Sequence, residues 1–290
     1  MEQATPEGGD GESPIELPSL LDIIQHRVTR GDGALLLTVP LFLTLVFALP
    51  MSVKREYALA YDDPTLVTAY ASHFVHLDLG HLLVNVGGYL LVVPTAYVLS
   101  LAADRRRQFF VVFTAFVVAF PLALSALNLL FARPRLGVGF SGIVMAFVGY
   151  LPVAIIGAAR RRLYVPIDRL RSQWLFFFGL AMIALFSGPA LLGGAIAAAA
   201  ALAGVLFVLP VVEEWDATHH HHIQHALGRA GNVELLLVGI LVFVGYLFVA
   251  FPGNTTGEGT VVNVYSHVLG FSLGYVTTYV TMLSGGLNVD

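Results

Sequence analysis

The chain contains no cysteine and few charged residues. Without cysteine there can be no disulfide, no thiol nucleophile and no thiolate metal site. Charged residues make up 12% of the 290 residues, whereas a soluble domain carries roughly 25%. Apolar residues make up 57%, and the mean hydropathy is +0.79. These values predict an integral membrane protein and argue against a soluble domain.

Positive charge is also scarce, since Lys and Arg together number 15 and Lys54 is the only lysine. No basic face suited to nucleic acid is visible in the sequence, so we expect no nucleic-acid partner. The excess of Arg over Lys is compatible with a GC-rich or halophilic source. Residues 1–20 are acidic, contain Gly and Pro, and are poor in aromatics, which predicts a disordered tail. We see no signal peptide, because no basic region precedes a short apolar core.

Long apolar runs fill most of residues 21–290, which we interpret as one membrane domain. A bilayer core about 30 Å thick requires about 20 apolar residues in a helix. The candidate spans are 33–53, 79–101, 109–131, 140–158, 190–212, 233–251 and 262–284, with a shorter run at 173–187. Counting that shorter run, the sequence predicts an all-α, multi-pass transmembrane helical bundle of about eight spans.

The distribution of arginine orients these spans, because short cytoplasmic loops retain Lys and Arg. Clusters at 104–107 and 160–171 predict that both termini are cytoplasmic, although Arg133 and Arg135 on an outer loop count against this. If region 173–212 forms two spans or a re-entrant hairpin, the orientation of the later spans is unchanged. A single crossing there would invert every later span.

Polar side chains inside spans need an explanation, and the first group lies in "HLDLGHLLVNVGG", residues 76–88. His81 and Asn85 are four residues apart, so they project from one face of a helix, and both can donate hydrogen bonds. For this pair alone, an interhelical polar clamp is the favoured interpretation.

The second group is "GVGFSG", residues 137–142. Ser141 would stand at a helix N-terminus, where free backbone amides are available to a developing oxyanion. Gly139 and Gly142 would let backbones approach closely, so simple helix packing is the competing interpretation. The motif is not a Gly-x-Ser-x-Gly elbow, because position 143 is Ile.

The third group is "YSHVLGFSLGY", residues 265–275. Gly270 and Gly274 form a G-x-x-x-G pair on the same face as His267, which predicts close contact with a neighbouring helix. His267 could be a satisfied bundle residue or a functional one. In the predicted orientation His81, Ser141 and His267 all lie near the outer ends of their helices, provided that an odd number of crossings separates the last two.

Taken together and in this order, the three motifs resemble those of the rhomboid family of intramembrane serine proteases. The resemblance covers about 76–158 and 233–284. It implies a six-helix core in which Ser141 is the nucleophile and His267 the general base, without an acidic third member. His81 and Asn85 would join the Ser141 amide as oxyanion donors, and His76 matches another histidine of the motif.

The resemblance further implies cleavage of membrane-protein substrates within a transmembrane helix near the outer face, in a multi-pass protein of the plasma membrane, with no cofactor and no metal. The sequence departs from the family in three places. The loop at 54–78 lacks the Trp-Arg pair, position 145 is Met where Tyr is frequent, and the long separation of Ser141 from His267 implies an inserted helical pair at 173–212.

Two other functions are compatible with the sequence. A catalytically silent rhomboid-like protein that binds or escorts membrane helices would share the fold. A transporter fits less well, because the spans hold few charges. The loop 213–232 contains "HHHHIQH" at 219–225, in which His221 and His225 could share a metal if helical; we interpret it as a solvated cytoplasmic loop.

Overall fold

The computed structural model describes residues 19–130, 136–163, 165, 173–213, 224, 229–251 and 263–283. Residues 1–18 of the predicted tail (1–20), together with Arg133, Arg135 and the histidines at 219–222 and 225, lie outside these residues. Within the described residues the protein is almost entirely helical, apart from one two-stranded ladder. The prediction of an all-α bundle is therefore confirmed at this level.

The first part of the chain leads into two long helices separated by short elements. Its elements are α1 (Leu20–Arg27), α2 (Arg30–Phe47), α3 (Met51–Glu56), β1 (Leu59–Ala60), α4 (Leu66–Ala71), a 3₁₀ turn (Ser72–Phe74) and α5 (Leu79–Ala102). Ser19 and Thr29 cap α1 and α2 through capping boxes, which explains why each helix begins where it does.

The remainder consists of longer helices. Its elements are α6 (Arg106–Val118), α7 (Phe120–Leu129), β2 (Leu136–Gly137), α8 (Ser141–Leu163), α9 (Trp174–Ser187), α10 (Ala190–Glu213), α11 (Asn232–Ala250) and α12 (Val264–Leu283).

Among the residues that the structure describes, five helices are long and apolar enough to cross a membrane, namely α2, α5, α8, α10 and α11. Helices α6 and α7 would make a sixth span together, although they are bent by 46° at Ala119. Helix α9 is only 14 residues long, and α12 has sufficient length but carries more polar side chains. Apolar length therefore supports five or six spans, and the count of eight remains a prediction.

Helix α8 lies at the centre of the bundle, since 94% of its 18-residue apolar stretch is buried. Helices α5, α11 and α12 pack around it. Its first residue is Ser141, so the position of α8 fixes the position of the predicted nucleophile.

Helices α9 and α10 form an antiparallel hairpin beside this core. A methyl group added at Gly204 would lie 3.3 Å from the Trp174 carbonyl oxygen, and the rings of Phe177 and Phe207 stack with centroids 5.5 Å apart. Because the start of α9 meets the second half of α10, region 173–212 is not one straight crossing.

Ion pairs connect the termini of several helices on the side of the bundle opposite Ser141. The carboxylate of Asp104, between α5 and α6, accepts hydrogen bonds from Arg27 and, at 2.6 Å, from Arg161 near the end of α8. Buried Asp32 at the start of α2 pairs with Arg106. The arginine-rich segments used to predict the inner face therefore meet at one end of the molecule.

Candidate functional site

Ser141 begins α8 directly after a turn that other elements hold in place. Gly139 has φ +109°, a left-handed conformation that favours glycine. Its amide donates to the Ser72 carbonyl at 3.0 Å, and the Phe140 amide donates to His76 Nε2 at 3.4 Å. In the described part of the chain the Ser141 amide has no acceptor, so it is free to bind a developing oxyanion.

The segment before α5 positions this turn. Strand β1 pairs antiparallel with β2, which places Leu59 opposite Gly137. The rings of Phe74 and Phe140 are in contact, with centroids 5.6 Å apart. The loop at 54–78, which lacks the family's Trp-Arg pair, therefore still contacts the turn that leads to Ser141.

His81 lies against the same turn. Its backbone amide donates to Asp78, the N-cap of α5, at 2.9 Å. A methyl group added at Gly139 would lie 2.6 Å from His81 Nε2. The imidazole of His81 therefore lies beside Gly139, which precedes Ser141 by two residues. Its ring centroid is 5.0 Å from that of His76.

Asn85 lies one turn further along α5 and is only 1% exposed. Its Nδ2 donates to the His81 carbonyl at 2.8 Å, while its Oδ1 has no hydrogen-bond partner. As placed, the amide bonds to its own helix. Nδ2 carries a second hydrogen, which could donate to an oxyanion.

Helices α8 and α12 are in direct backbone contact. A methyl group at Gly270 would overlap the Gly142 carbonyl oxygen, and one at Gly274 would overlap the Ala146 carbonyl oxygen. From the first contact to the second, each helix advances by four residues in the same direction along the chain, so the two helices run parallel. Ser141 and His267 consequently lie at the same end of two touching helices.

The imidazole of His267 is held by the helix before it. Nδ1 is 3.1 Å from the carbonyl oxygen of Ala250, the last residue of α11. Because a carbonyl can only accept, this contact places the proton of the neutral ring on Nδ1 and leaves a lone pair on Nε2. Nε2 is the atom that a general base would use.

The ring of His267 is packed by Phe251, with centroids 5.8 Å apart and the rings nearly perpendicular. Met145, at the position where the family often has Tyr, lies against α12 at Gly270 instead. The aromatic neighbour of His267 therefore comes from the end of α11.

Among the described residues no hydrogen bond joins Ser141 to His267. The structure brings the two residues to neighbouring turns at one end of the bundle, but it does not form the dyad.

A small polar cavity beside Ser141 contains residues that the sequence did not single out. Its polar lining includes His73, Ser125, Asn128, Asn263 and Ser266. Ser125 and Asn128 are three residues apart on α7, so they share one face of an otherwise apolar helix. That spacing of polar residues in an apolar helix could have identified them from the sequence.

Hydrogen bonds connect the members of this cavity. His73 Nε2 is 3.0 Å from Ser125 Oγ, and Asn263 Nδ2 donates to Asn128 Oδ1 at 3.2 Å. Asn263 Oδ1 in turn accepts from the Ser266 amide at 3.1 Å. The cavity thus links α7 to the start of α12 next to Ser141.

Burial disfavours the charged form of both histidines in the segment before α5. Burial lowers the pKa of His73 to about 4. Burial also lowers the pKa of His76 to about 3, and repulsion from His81 adds to the effect. A neutral His76 can accept the hydrogen bond from the Phe140 amide, which a doubly protonated ring could not do.

Within the described residues no group of three or more His, Asp or Glu side chains is placed to hold a metal ion. Comparisons with models of known protein families, with curated proteins and with solved structures give no significant match for this chain. The resemblance to rhomboid proteases therefore rests on the three motifs and on the residues that carry them.

Proposed function

We propose that this protein is a rhomboid-type intramembrane serine endopeptidase in which Ser141 is the nucleophile and His267 the general base. It crosses the plasma membrane about eight times, with a six-helix core, the α9–α10 pair inserted, and both termini in the cytoplasm. The Ser141 end of the bundle then faces outward.

One observation carries this proposal. Ser141 and His267 come from distant parts of the chain, yet they lie at the same end of two parallel helices in backbone contact. The Ala250 carbonyl moreover selects the tautomer of His267 in which Nε2 is basic.

The chemistry would proceed by acyl transfer. His267 Nε2 takes the Ser141 proton as Oγ bonds to the scissile carbonyl carbon, and it then returns a proton to the leaving amine. The amide of Ser141 and the side chains of His81 and Asn85 would stabilise the oxyanion. Water would then hydrolyse the acyl enzyme and free Ser141.

The proposal requires Ser141 Oγ and His267 Nε2 to reach hydrogen-bonding distance when substrate binds. Such contacts are often long in unliganded enzymes and tighten in the complex. The second hydrogen of Asn85 Nδ2 would donate to the oxyanion in the same step, as a charge-assisted hydrogen bond.

The proposed substrates are membrane proteins that cross the bilayer and reach the site as a helix. A helix must unwind locally to expose its carbonyl to Ser141, because its backbone groups are otherwise satisfied internally. A site at the outer end of the bundle supplies the water that such unwinding and the final hydrolysis require.

The test is cleavage of single-span reporter proteins by the purified protein in liposomes. We expect cleavage by the native chain and none by Ser141→Ala or His267→Ala. Ser266→Ala is the matched control, since Ser266 lines the same cavity beside Gly142 and should retain activity. Equal cleavage by Ser141→Ala would refute the proposal.

A silent rhomboid-like protein that binds membrane helices is the second candidate. The absence of a Ser141–His267 hydrogen bond among the described residues favours it. Affinity purification of native and Ser141→Ala proteins distinguishes the two functions. A peptidase should enrich intact substrates only in the variant, whereas a silent binder should recover the same intact proteins from both.

A further inference from the structure

An apolar groove runs along the outside of α2, at the end of the bundle where Ser141 lies. It is bounded by α2 on one side and by α3, α4 and the 3₁₀ turn on the other. Its lining includes Phe42, Leu45, Val53, Tyr70 and Phe74. Among the described side chains that line it, only Lys54 is charged.

Lys54 is an unusual cation, because only 5% of it is exposed. Its ammonium donates to the Phe47 carbonyl at 3.1 Å and lies 4.1 Å from the centroid of the Phe47 ring. In the described part of the chain no carboxylate forms an ion pair with it. A buried charge with one neutral acceptor is costly, so an anion beside it would be favourable.

The position of Lys54 along α2 indicates where that anion comes from. Its ammonium bonds to the last residue of α2, a helix of membrane-spanning length. The end of such a helix lies at the level of lipid headgroups. The groove extends from there along residues 38–47 of α2, about 15 Å of helix, where acyl chains are the surrounding solvent.

We propose that this groove binds one anionic phospholipid, with its phosphate on Lys54 and an acyl chain against α2. The apolar lining matches an acyl chain and offers almost no partners to a peptide backbone. The single cation matches a single phosphate. This inference does not depend on the proposed peptidase activity.

The bound lipid would stabilise the segment that holds the Ser141 turn. Phe74 lines the groove and contacts Phe140, while the Ser72 carbonyl accepts from Gly139. A ligand that binds only the folded protein raises its free energy of unfolding by RT ln(1 + [L]/Kd). Anionic lipid should therefore raise the thermal midpoint.

The experiment is native mass spectrometry of the delipidated full-length protein, titrated with phosphatidylglycerol or phosphatidylcholine of identical acyl chains. We expect one phosphatidylglycerol to bind about fivefold more tightly than phosphatidylcholine. Lys54→Met should abolish this preference. Arg55→Met is the matched control, because it removes the same charge from an exposed neighbour on α3, and it should keep the preference.

A second variant tests the groove itself. Ala71 lines it, so Ala71→Phe should fill it and weaken binding of both lipids. Free inorganic phosphate should neither displace phosphatidylglycerol nor shift the thermal midpoint. Equal affinity for the two lipids in the native protein, or loss of preference in Arg55→Met but not in Lys54→Met, would overturn the proposal. The proposal would also be overturned if the groove bound membrane helices and neither lipid.

Discussion

At the scale of single residues, hydrogen bonds and burial determine the state of the imidazoles around the site, and His76 must be neutral to make the contact seen. His76 accepts from the Phe140 amide, and His73 bonds to Ser125 in a buried position. Burial lowers the pKa of His73 to about 4 from its ordinary value of 6.5. In an unfolded chain the same ring would take up a proton at higher pH.

This difference predicts a pH dependence of stability. Below pH 6.5 the unfolded state binds protons that the folded state excludes, so stability falls as the pH drops from 6.5 towards 4. Thermal midpoints in detergent between pH 8 and pH 4 should show this decline. His73→Asn should make the decline shallower, and an unchanged slope in that variant would contradict the assignment.

Asn85 provides a prediction about catalysis. Removing one oxyanion donor typically costs on the order of 3 kcal/mol in the barrier, so Asn85→Ala should lower kcat by about a hundredfold with little change in KM. Thr95→Val is a control on the same helix, because the Thr95 hydroxyl bonds only to the Leu91 carbonyl. A rise in KM at constant kcat would instead assign Asn85 to substrate binding.

The residues of the three motifs could be predicted from sequence, because a polar side chain in an apolar span is conspicuous. The hydrogen bonds that they make could not. The tautomer of His267 depends on Ala250, and the turn at Gly139 depends on Ser72 and His76, which are contacts between distant segments.

At the scale of elements, the contact between α8 and α12 determines the site. A methyl group at Gly149 would overlap the Phe271 carbonyl oxygen. Backbone atoms cannot move aside as side chains do, so Gly149→Ala must separate the two helices, and overpacking of this kind costs about 1–3 kcal/mol.

Denaturation in detergent should therefore show lower stability for Gly149→Ala. Gly245→Ala on α11 is the matched control, since nothing lies within 4 Å of the added methyl group and alanine is the better helix former. Equal stability of the two variants would contradict the close packing of α8 and α12.

The apolar runs in the sequence predicted the bounds of the main helices closely. This is because a bilayer and the interior of a helical bundle both favour apolar side chains. The predicted span 79–101 corresponds to α5 (Leu79–Ala102). The break between α6 and α7 and the short elements between α2 and α5 were not predicted. The latter depend on the pairing of Leu59 with Gly137 and on packing against Phe140.

At the scale of the whole molecule, the two ends of the bundle differ in chemistry. One end holds the ion pairs of Asp104 with Arg27 and Arg161. The other holds Ser141, His81 and His267. This difference agrees with the arginine pattern in the sequence, which predicts that the ion-paired end is cytoplasmic.

The absence of native cysteine makes this orientation directly measurable. We expect a membrane-impermeant maleimide to label Asp62→Cys on intact cells and to label Arg107→Cys only after lysis, since both side chains are exposed at opposite ends. The native chain is the unlabelled control. Labelling of Arg107→Cys on intact cells would invert the proposed topology.

The central claim is that Ser141 is a nucleophile activated by His267. Its most direct test is to treat the protein in detergent with a fluorophosphonate and to locate the adduct by peptide mass spectrometry. We predict one adduct, on Ser141, that is lost in His267→Ala and retained in Ser266→Ala. An adduct on another serine, or none on the folded native protein, would contradict the claim.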